Sequence, residues 1–161
     1  MTNARQAEHE WLDALVGEWT VEVEMMMGPD KPTEKTWGTE SVRSLGGLWT
    51  VGEGTMDAPG GGTATNLMTL GYDPQKQRFV GTFVASIMTF LWVYEGSLDA
   101  EKRTLTLDTT GPNMMEPGNK MMKFQDIIEI VGPDERILRS RAFGNDGKWV
   151  QFMEARYRRK K

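Results

Sequence analysis

The side chains that most often perform chemistry are scarce in this sequence. It contains one histidine, His9, and no cysteine. Thiolate nucleophiles, disulfides, cysteine-ligated metals and zinc sites built from several histidines are therefore excluded within one chain. His9 lies in an N-terminal stretch with helical periodicity, and we expect it to be an ordinary surface histidine. We predict no metal site and assign no catalytic residue.

A carboxylate in one predicted strand shares its face with a tryptophan. Successive side chains of a strand point to opposite faces, so Trp49, Val51 and Glu53 lie on the same side. If Trp49 faces the interior of the fold, Glu53 does so as well. We expect this orientation, which would make Glu53 a group that orients the polar end of a ligand.

Arg141 lies in a segment whose inward face stays ambiguous. Over residues 137–143, the alternating set that contains Arg141 competes for the interior with the set Leu138, Ser140 and Ala142. An internal Arg141 would need a carboxylate from Glu53, Asp126 or a ligand, because an unpaired buried charge is costly. Two interpretations remain open: a polar cluster that faces a ligand, or charges that lie outside or pair with each other.

The sequence is rich in methionine, with 12 in 161 residues. Methionine is unbranched and polarizable and suits an adaptable apolar pocket, although simple core filling explains the same composition. The pairs Met114-Met115 and Met121-Met122 flank the longest irregular segment. Because neighbours in a strand face opposite ways, each pair exposes one sulfur unless something covers it. This pattern hints at a lid or at a homodimer contact.

Charge and hydropathy exclude several partners. The net charge of −4 argues against nucleic-acid binding, which requires a basic face. The first ten residues have no apolar core, so we predict no signal peptide. No segment approaches the roughly 20 apolar residues that a membrane-spanning helix requires. These features predict a cytoplasmic protein without a membrane span.

A short helix and a series of strands must position these side chains. Residues 4–15 have helical periodicity, with Thr2 or Asn3 as the cap, and Gly17 ends the helix. From Gly17 onward, apolar and polar residues alternate strictly, with Trp19, Val21, Val23 and Met25 on one face. This alternation predicts the first strand. Further strands are predicted at 37–45, 48–56, 65–72, 78–87, 89–98, 103–109, 120–131, 136–143 and 148–158.

Ten strands joined by short turns favour an antiparallel meander. A long antiparallel sheet leaves two exposed edges unless it closes on itself. The predicted fold is therefore all-β: a closed up-and-down antiparallel barrel over about residues 17–158, capped at one end by the N-terminal helix. We expect residues 1–161 to form a single domain.

Several motifs along the chain resemble a known group of barrels. The sequence Gly17-Glu18-Trp19 after a short helix resembles the Gly-x-Trp signature of the calycin superfamily, which includes lipocalins, fatty-acid-binding proteins and nitrobindin-like barrels. The stretches 15–19, 44–49, 68–74 and 94–99 look like a bacterial lipocalin-like family of unknown function. The resemblance implies that Trp19 packs over the closed end of the barrel, with Arg156 or Arg158 lying across it.

The same resemblance bears on cofactors. Nitrobindin-like proteins bind haem through a histidine late in the chain, and residues 149–158 contain none. We therefore expect no haem and no other cofactor.

We expect a binding protein for a small, mainly apolar molecule held inside the barrel. Glu53 or Arg141 would orient its polar end. The walls would come from Val23, Met25, Trp37, Trp49, Met68, Phe83, Trp92, Phe124 and Met153.

Two other hypotheses remain. One is an isomerase or hydrolase on the same barrel, using an internal Glu53 or Asp126 together with Tyr94, which requires an interior carboxylate with a raised pKa. The other is a solid barrel that associates with itself through an exposed apolar patch.

Overall fold

The first strand follows directly from its alternating sequence. The computed structural model describes residues 3–28, 30–58, 60–113, 118 and 120–161. In it, β1 (Gly17–Met25) buries Trp19, Val21 and Val23 and leaves the intervening polar residues on the other face. The apolar face of β1 therefore turns toward the core, as period-two patterning requires.

The other strands follow in chain order. Their bounds are β2 (Glu34–Leu45), β3 (Trp49–Asp57), β4 (Thr63–Asp73), β5 (Arg78–Ala85), β6 (Trp92–Leu98), β7 (Thr104–Pro112), β8 (Met121–Gly132), β9 (Glu135–Phe143) and β10 (Trp149–Arg159).

These strands form one closed antiparallel barrel in which each strand pairs with its sequence neighbours. The barrel is closed by pairing of β1 with β10, from Trp19 opposite Arg159 to Met25 opposite Met153. Closure leaves neither a first nor a last edge strand unpaired. The prediction of a closed ten-stranded barrel with an N-terminal helix is confirmed.

The N-terminal helix is shorter than predicted. Helix α1 (Ala7–Leu12) continues into a 3₁₀ turn (Asp13–Leu15), and Gln6 occupies the cap position. Of the predicted caps, Asn3 lies before the helix, and Thr2 falls outside the described residues.

The predicted surface location of His9 was wrong. Its side chain is buried, and both ring nitrogens have partners. Nδ1 accepts a hydrogen bond from the Gln6 backbone N–H at 2.9 Å, and Nε2 lies 3.1 Å from the Tyr72 carbonyl oxygen. A proton on Nε2 satisfies both contacts. The His9 side chain therefore caps the first turn of α1 and docks the helix on β4.

The two ends of the barrel differ in their connections. Four short turns, at residues 46–48, 74–77, 99–103 and 133–134, lie at the end that carries α1, called here the helix end. In the first of them, Gly46 and Gly47 adopt positive φ angles of 65° and 75°, which glycine tolerates without strain. The connections at the opposite end, called here the far end, have five to eight residues and join β1 to β2, β3 to β4, β5 to β6, β7 to β8 and β9 to β10.

Trp19 closes the helix end, but the cations above it differ from those predicted. Arg159 lies with Cζ 4.3 Å from the centre of the Trp19 ring, and Arg136 lies at 4.7 Å. Arg156 and Arg158 instead form long ion pairs with acidic residues on the outer face. The expectation that one of them covers Trp19 was wrong because both have the outward parity of β10.

Arg159 also joins the segments that meet at the helix end. Its guanidinium donates hydrogen bonds to the carbonyl oxygens of Val16 at 2.6 Å, Ala14 at 3.2 Å and Pro133 at 3.2 Å. The Trp19 indole N–H donates to the Leu15 carbonyl at 2.9 Å. Side chains thus satisfy carbonyls at the end of the helical segment, which lack partners within the helix.

Candidate site: a cavity inside the barrel

The barrel interior contains a cavity of about 560 Å³. Its wall is mainly apolar and combines aromatic side chains with many of the methionines noted in the sequence. The methionines that line it are Met25, Met56, Met68, Met88, Met122 and Met153. This arrangement matches the adaptable pocket that the composition suggested. It also means that the barrel is not solid, in contrast to the self-association hypothesis.

A polar cluster interrupts the apolar wall. Asp126 on β8 accepts a hydrogen bond from the Tyr94 hydroxyl on β6 at 2.5 Å and another from the Ser140 hydroxyl on β9 at 2.6 Å. All three residues line the cavity. We call these residues the Asp126 cluster. Three different strands therefore bring one carboxyl and two hydroxyls to a single point of the interior.

The environment of Asp126 disfavours its charged form. Removal from bulk water raises the pKa of this carboxyl, and the hydrogen bonds from Ser140 and Tyr94 oppose part of the rise. Burial, and next the neighbouring Asp126 carboxyl, raise the pKa of the Tyr94 hydroxyl, so it stays protonated and donates. Asp126 retains some accessible surface, and that surface faces the cavity.

A second polar group lies toward the helix end. Arg136 on β9 is buried and forms an ion pair with Glu40 on β2. Its Cζ also lies 3.9 Å from the centre of the Tyr157 ring. Both charged side chains border the cavity, but each has the other as its partner. The Arg136 Nε, which has no hydrogen-bond acceptor among the described residues, is buried from the cavity as well.

Sequence reasoning missed Glu40 and Arg136, although a signal for Arg136 was present. It shares parity with Leu138, Ser140 and Ala142, the set that proves to face inward. Extending that set back by two residues reaches Arg136. The inward orientation of Glu40 follows only from strand pairing, because Glu40 on β2 lies opposite the buried Trp19 on β1.

Seven of the residues predicted to form the ligand-binding wall lie at the cavity. They are Val23, Met25, Met68, Phe83, Trp92, Phe124 and Met153. Trp92 contacts Phe124 edge to face at 5.3 Å, and Phe124 contacts Phe152 in the same way at 6.1 Å. These rings form a continuous aromatic strip on one side of the cavity. A role for these side chains in ligand binding stays a prediction.

The inward orientation expected for Trp37, Trp49 and Glu53 was wrong. Trp37 is 57% exposed and Trp49 is 40% exposed, and both lie on the outer surface. Trp49 and Glu53 do share a face, but it is the outer one. The inner face of β3 instead carries Thr50 and Gly52.

Arg141 also lies outside the barrel, contrary to expectation. Its guanidinium donates to the Gln125 side-chain oxygen at 2.7 Å and lies 4.9 Å from the centre of the Trp149 ring. The reason is parity, because Ser140 and Ala142, which flank Arg141 on β9, face the cavity. Half-buried partners on the outer face contact its guanidinium, so it needs no interior carboxylate.

In the part of the chain that the structure describes, no group of three or more His, Asp or Glu side chains is placed to hold a metal ion. None of the described helices is long and apolar enough to span a membrane. Met114 and Met115, which the sequence suggested as part of a lid, lie outside the described residues.

The fold and its site define a class: a closed ten-stranded β-barrel with an internal cavity and a buried polar cluster. Residues 4–159 match the model of the family described as protein of unknown function, DUF1579. The chain belongs to that family. A comparison with functionally curated proteins finds no significant match.

Solved structures of low sequence identity share the barrel. Rv2717c from M. tuberculosis has a TM-score of 0.60 at 11% identity, covering 98% of this chain and 100% of its own. The S-type phycobiliprotein lyase CPES from Guillardia theta has a TM-score of 0.59 at 15% identity, covering 98% and 94%. EF1p2_mFAP2b bound to DFHBI has a TM-score of 0.51 at 14% identity, covering 96% and 100%. These likenesses concern the fold.

Proposed function

We propose that this protein binds a small, neutral, mainly apolar molecule inside the barrel, with one hydrogen-bonding group of the ligand placed at the Asp126 cluster. The observation that carries the proposal is a mainly apolar cavity of about 560 Å³ with the Asp126 cluster set into its wall. Pockets for small organic ligands span about 300–1,000 Å³ and combine apolar walls with few polar groups.

The charges around the cavity favour a neutral ligand over an anion. Among the described residues of the wall, the carboxylic acids and basic side chains are Glu40, Asp126 and Arg136. Arg136 is already paired with the Glu40 carboxylate, and its unpartnered Nε is buried. A carboxylate ligand would therefore lose its water without gaining a cation. Asp126 would further repel it in the ionised state.

A neutral polar group fits the Asp126 cluster in either protonation state. The carboxylate accepts hydrogen bonds, and the protonated carboxyl both donates and accepts. A ligand hydroxyl can thus be satisfied there in either state, and a ligand carbonyl when Asp126 is protonated, while the rest of the molecule contacts methionine and aromatic side chains. The raised pKa of Asp126 favours the protonated form, which carries no charge into the apolar wall.

The structural neighbours are in keeping with this proposal. One of them was solved with DFHBI bound, and another is named a phycobiliprotein lyase. We infer that the present barrel also uses its interior for a small molecule and that it belongs to the calycin superfamily. A bacterial source and a cytoplasmic location remain predictions.

A matched pair of fluorescent probes tests the preference for neutral ligands. N-phenyl-naphthylamine is neutral, and anilinonaphthalene sulfonate has the same aromatic skeleton with an added anionic group. We expect fluorescence titration to show saturable binding of the neutral probe, with affinity at least about tenfold above that of the sulfonate, which corresponds to about 1.4 kcal/mol. Equal or tighter binding of the sulfonate would overturn the charge argument.

A pair of adjacent substitutions tests whether the probe occupies the cavity. Ala142 faces the cavity opposite Phe124, whereas Arg141 lies on the outer face of the same strand. Ala142→Phe should fill the site and weaken probe binding at least about tenfold, and Arg141→Phe should leave it unchanged. Circular dichroism would verify that both variants fold. Binding that survives Ala142→Phe in a folded protein would place the probe elsewhere.

A second function, acid catalysis on the bound molecule, is favoured by one observation. Asp126 is an interior carboxyl with a raised pKa, and it has no basic partner among the described residues. Protonated Asp126 would donate to a leaving or isomerising group, with Tyr94 and Ser140 stabilising the carboxylate that forms. Asp126→Asn would abolish turnover but retain binding, whereas a pure binding protein shows no turnover in either form.

A further inference from the structure

The barrel wall has a weak point between β6 and β7. Among the described residues, these strands pair only from Glu95 opposite Asp108 to Leu98 opposite Leu105, near the helix end. Toward the far end, β6 remains paired with β5 as far as Trp92, and β7 remains paired with β8 as far as Pro112. The two strands therefore separate over the outer half of their length while the sheet on either side stays intact.

The separation joins the outside of the barrel to its interior. A surface depression of about 610 Å³ lies over it, bordered on the outside by Val93, Asp108 and Thr110. Two residues of this depression, Thr109 and Phe124, also line the internal cavity. The depression and the cavity thus share a wall at the gap between β6 and β7.

The Trp92 side chain fills this gap from within. Its six-membered ring lies against the Gly111 backbone of β7, so close that a Cβ atom on Gly111 would lie 2.0 Å from Trp92 Cζ3. The indole therefore reaches from β6 across to β7, where backbone hydrogen bonds are missing. Gly111 supplies the space that the ring needs, and any larger residue would displace it.

Weak contacts hold the Trp92 ring in place. Its Nε1 lies 3.1 Å from Met88 Sδ, a weak acceptor, and the ring packs edge to face against Phe90 at 4.9 Å. Leu91, in the connection before β6, is 52% exposed, and Val93 beside the ring is 57% exposed. An apolar molecule reaching this surface meets apolar side chains on both sides of the ring.

We propose that the gap between β6 and β7 is a lateral gate through which the ligand reaches the cavity, and that Trp92 opens and closes it. The inference rests on the proposed function. Rotation of one aromatic side chain, without rupture of backbone pairing, would connect the cavity to the depression. A route of this kind sets how fast a ligand enters and leaves, whereas affinity depends on the cavity itself.

A covalent bridge across the gap tests the gate directly. Val93 and Thr110 are exposed, and the register set by Glu95 and Asp108 places them opposite each other. In the double variant Val93→Cys/Thr110→Cys, a short bis-maleimide would bridge the strands, and mass spectrometry would verify the product. Because the native chain has no cysteine, no other site reacts. The control is Thr39→Cys/Thr55→Cys, bridged across the fully paired β2 and β3.

The readout is stopped-flow fluorescence with N-phenyl-naphthylamine. The bridge across the gate should slow association and dissociation together by at least about tenfold, with Kd changed by less than about threefold, and the control bridge should alter neither rate. Gly111→Ala should have the opposite effect. Its methyl group would displace the Trp92 indole from the gap, so that association and dissociation both become faster.

The two proposals fail in different ways. Unchanged rates in the bridged protein, with normal binding, would overturn the gate and leave the internal site intact. An absence of probe binding in the unbridged protein would overturn the proposed function and the gate with it. A change in Kd without a matching change in both rates would show that the bridge perturbs the cavity, and it would also count against the gate.

Discussion

At the scale of single residues, Asp126 is the most informative side chain of the barrel interior. A carboxyl facing an apolar cavity is costly when charged, yet two hydroxyls from different strands converge on it. Tyr94 and Ser140 satisfy one oxygen each, so the cluster holds its geometry without a bound partner. The surface that remains open to the cavity is then available to a ligand.

The raised pKa of Asp126 predicts how stability depends on pH. In the folded state Asp126 holds its proton above the unfolded-state pKa of about 3.9, so stability falls as the pH rises through the folded-state pKa. Asp126→Asn removes this loss. We expect the free energy of unfolding of Asp126→Asn, relative to that of the wild type, to increase between pH 4 and pH 8. The increase should be about 1.4 kcal/mol for each unit by which folding raises the pKa of Asp126.

Thermal unfolding at several pH values measures this shift. Asp108→Asn is a suitable control, because Asp108 lies on the outer surface and bonds to Gln125 there. A difference between wild type and Asp126→Asn that stays constant with pH would show that Asp126 titrates normally.

Arg159 and Arg158 offer a second comparison between neighbouring residues. Arg159 covers Trp19 and donates to three backbone carbonyls, whereas Arg158 is largely exposed and lies 3.9 Å from Glu135. We expect Arg159→Ala to lower the free energy of unfolding by about 2–4 kcal/mol, because carbonyls and a ring lose their partner. Arg158→Ala should change it by less than about 0.5 kcal/mol.

Urea denaturation of the two variants would measure both effects. Equal losses would show that the outward arginine also supports the helix end, as the family resemblance had implied. The comparison is matched because both positions lie on β10 one residue apart, on opposite faces of the same sheet.

At the scale of elements, glycines decide where large side chains fit against the sheet. Trp49 on β3 lies over Gly71 on β4, where a Cβ atom would be 2.3 Å from the indole. On the inner face, Gly52 lies beside Glu40, with its Cβ position 3.2 Å from the carboxylate. Gly111 serves Trp92 in the same way. Each glycine thus provides room for a side chain of the neighbouring strand.

Gly71→Ala should therefore be destabilising. The added methyl group meets the rigid Trp49 ring system, and we expect a loss of about 1–3 kcal/mol in the free energy of unfolding, since overpacking forces side chains off their rotamers. Gly132→Ala on β8 is the control, because no atom lies within 4 Å of its Cβ position. Chemical denaturation that finds the two variants equally stable would contradict the packing argument.

At the scale of the whole molecule, the closed sheet creates the space that its side chains leave unfilled. Pairing of β1 with β10 removes both edges, and the two ends of the barrel then take different roles. Short turns, α1, Trp19 and Arg159 seal the helix end. The cavity extends from there toward the connections of the far end. A homodimer remains a prediction that sedimentation at several concentrations would decide.

Occupation of the cavity should stabilise the whole barrel. A ligand that binds only the folded state adds about 2.7 kcal/mol when its concentration is 100 times Kd. We expect N-phenyl-naphthylamine to raise the melting temperature of the wild-type protein in this way and to leave Ala142→Phe unaffected. Differential scanning calorimetry would measure the shift. An equal shift in both proteins would indicate binding outside the cavity.

Much of the fold was predictable because its signals are local. The alternation from Trp19 to Met25 and the turn at Gly46-Gly47 each identify an element without reference to the rest of the chain. Ten such strands with short connections then lead to barrel closure, since open edges are unfavourable. The site was less predictable. Met25, Met68 and Trp92 do lie at the cavity wall, but Trp37, Trp49, Glu53 and Arg141 do not.

By itself, the sequence determined that the chain forms a closed antiparallel barrel capped by a helix, and that Trp49 and Glu53 share one face. Only the tertiary structure decided which face is the inner one. Alternation defines two faces without ranking them, and the choice depends on what lies opposite: Gly52 admits Glu40 on the inside, and Gly71 accommodates Trp49 on the outside. These partners are distant in sequence or lie in another strand, so no local pattern reveals them.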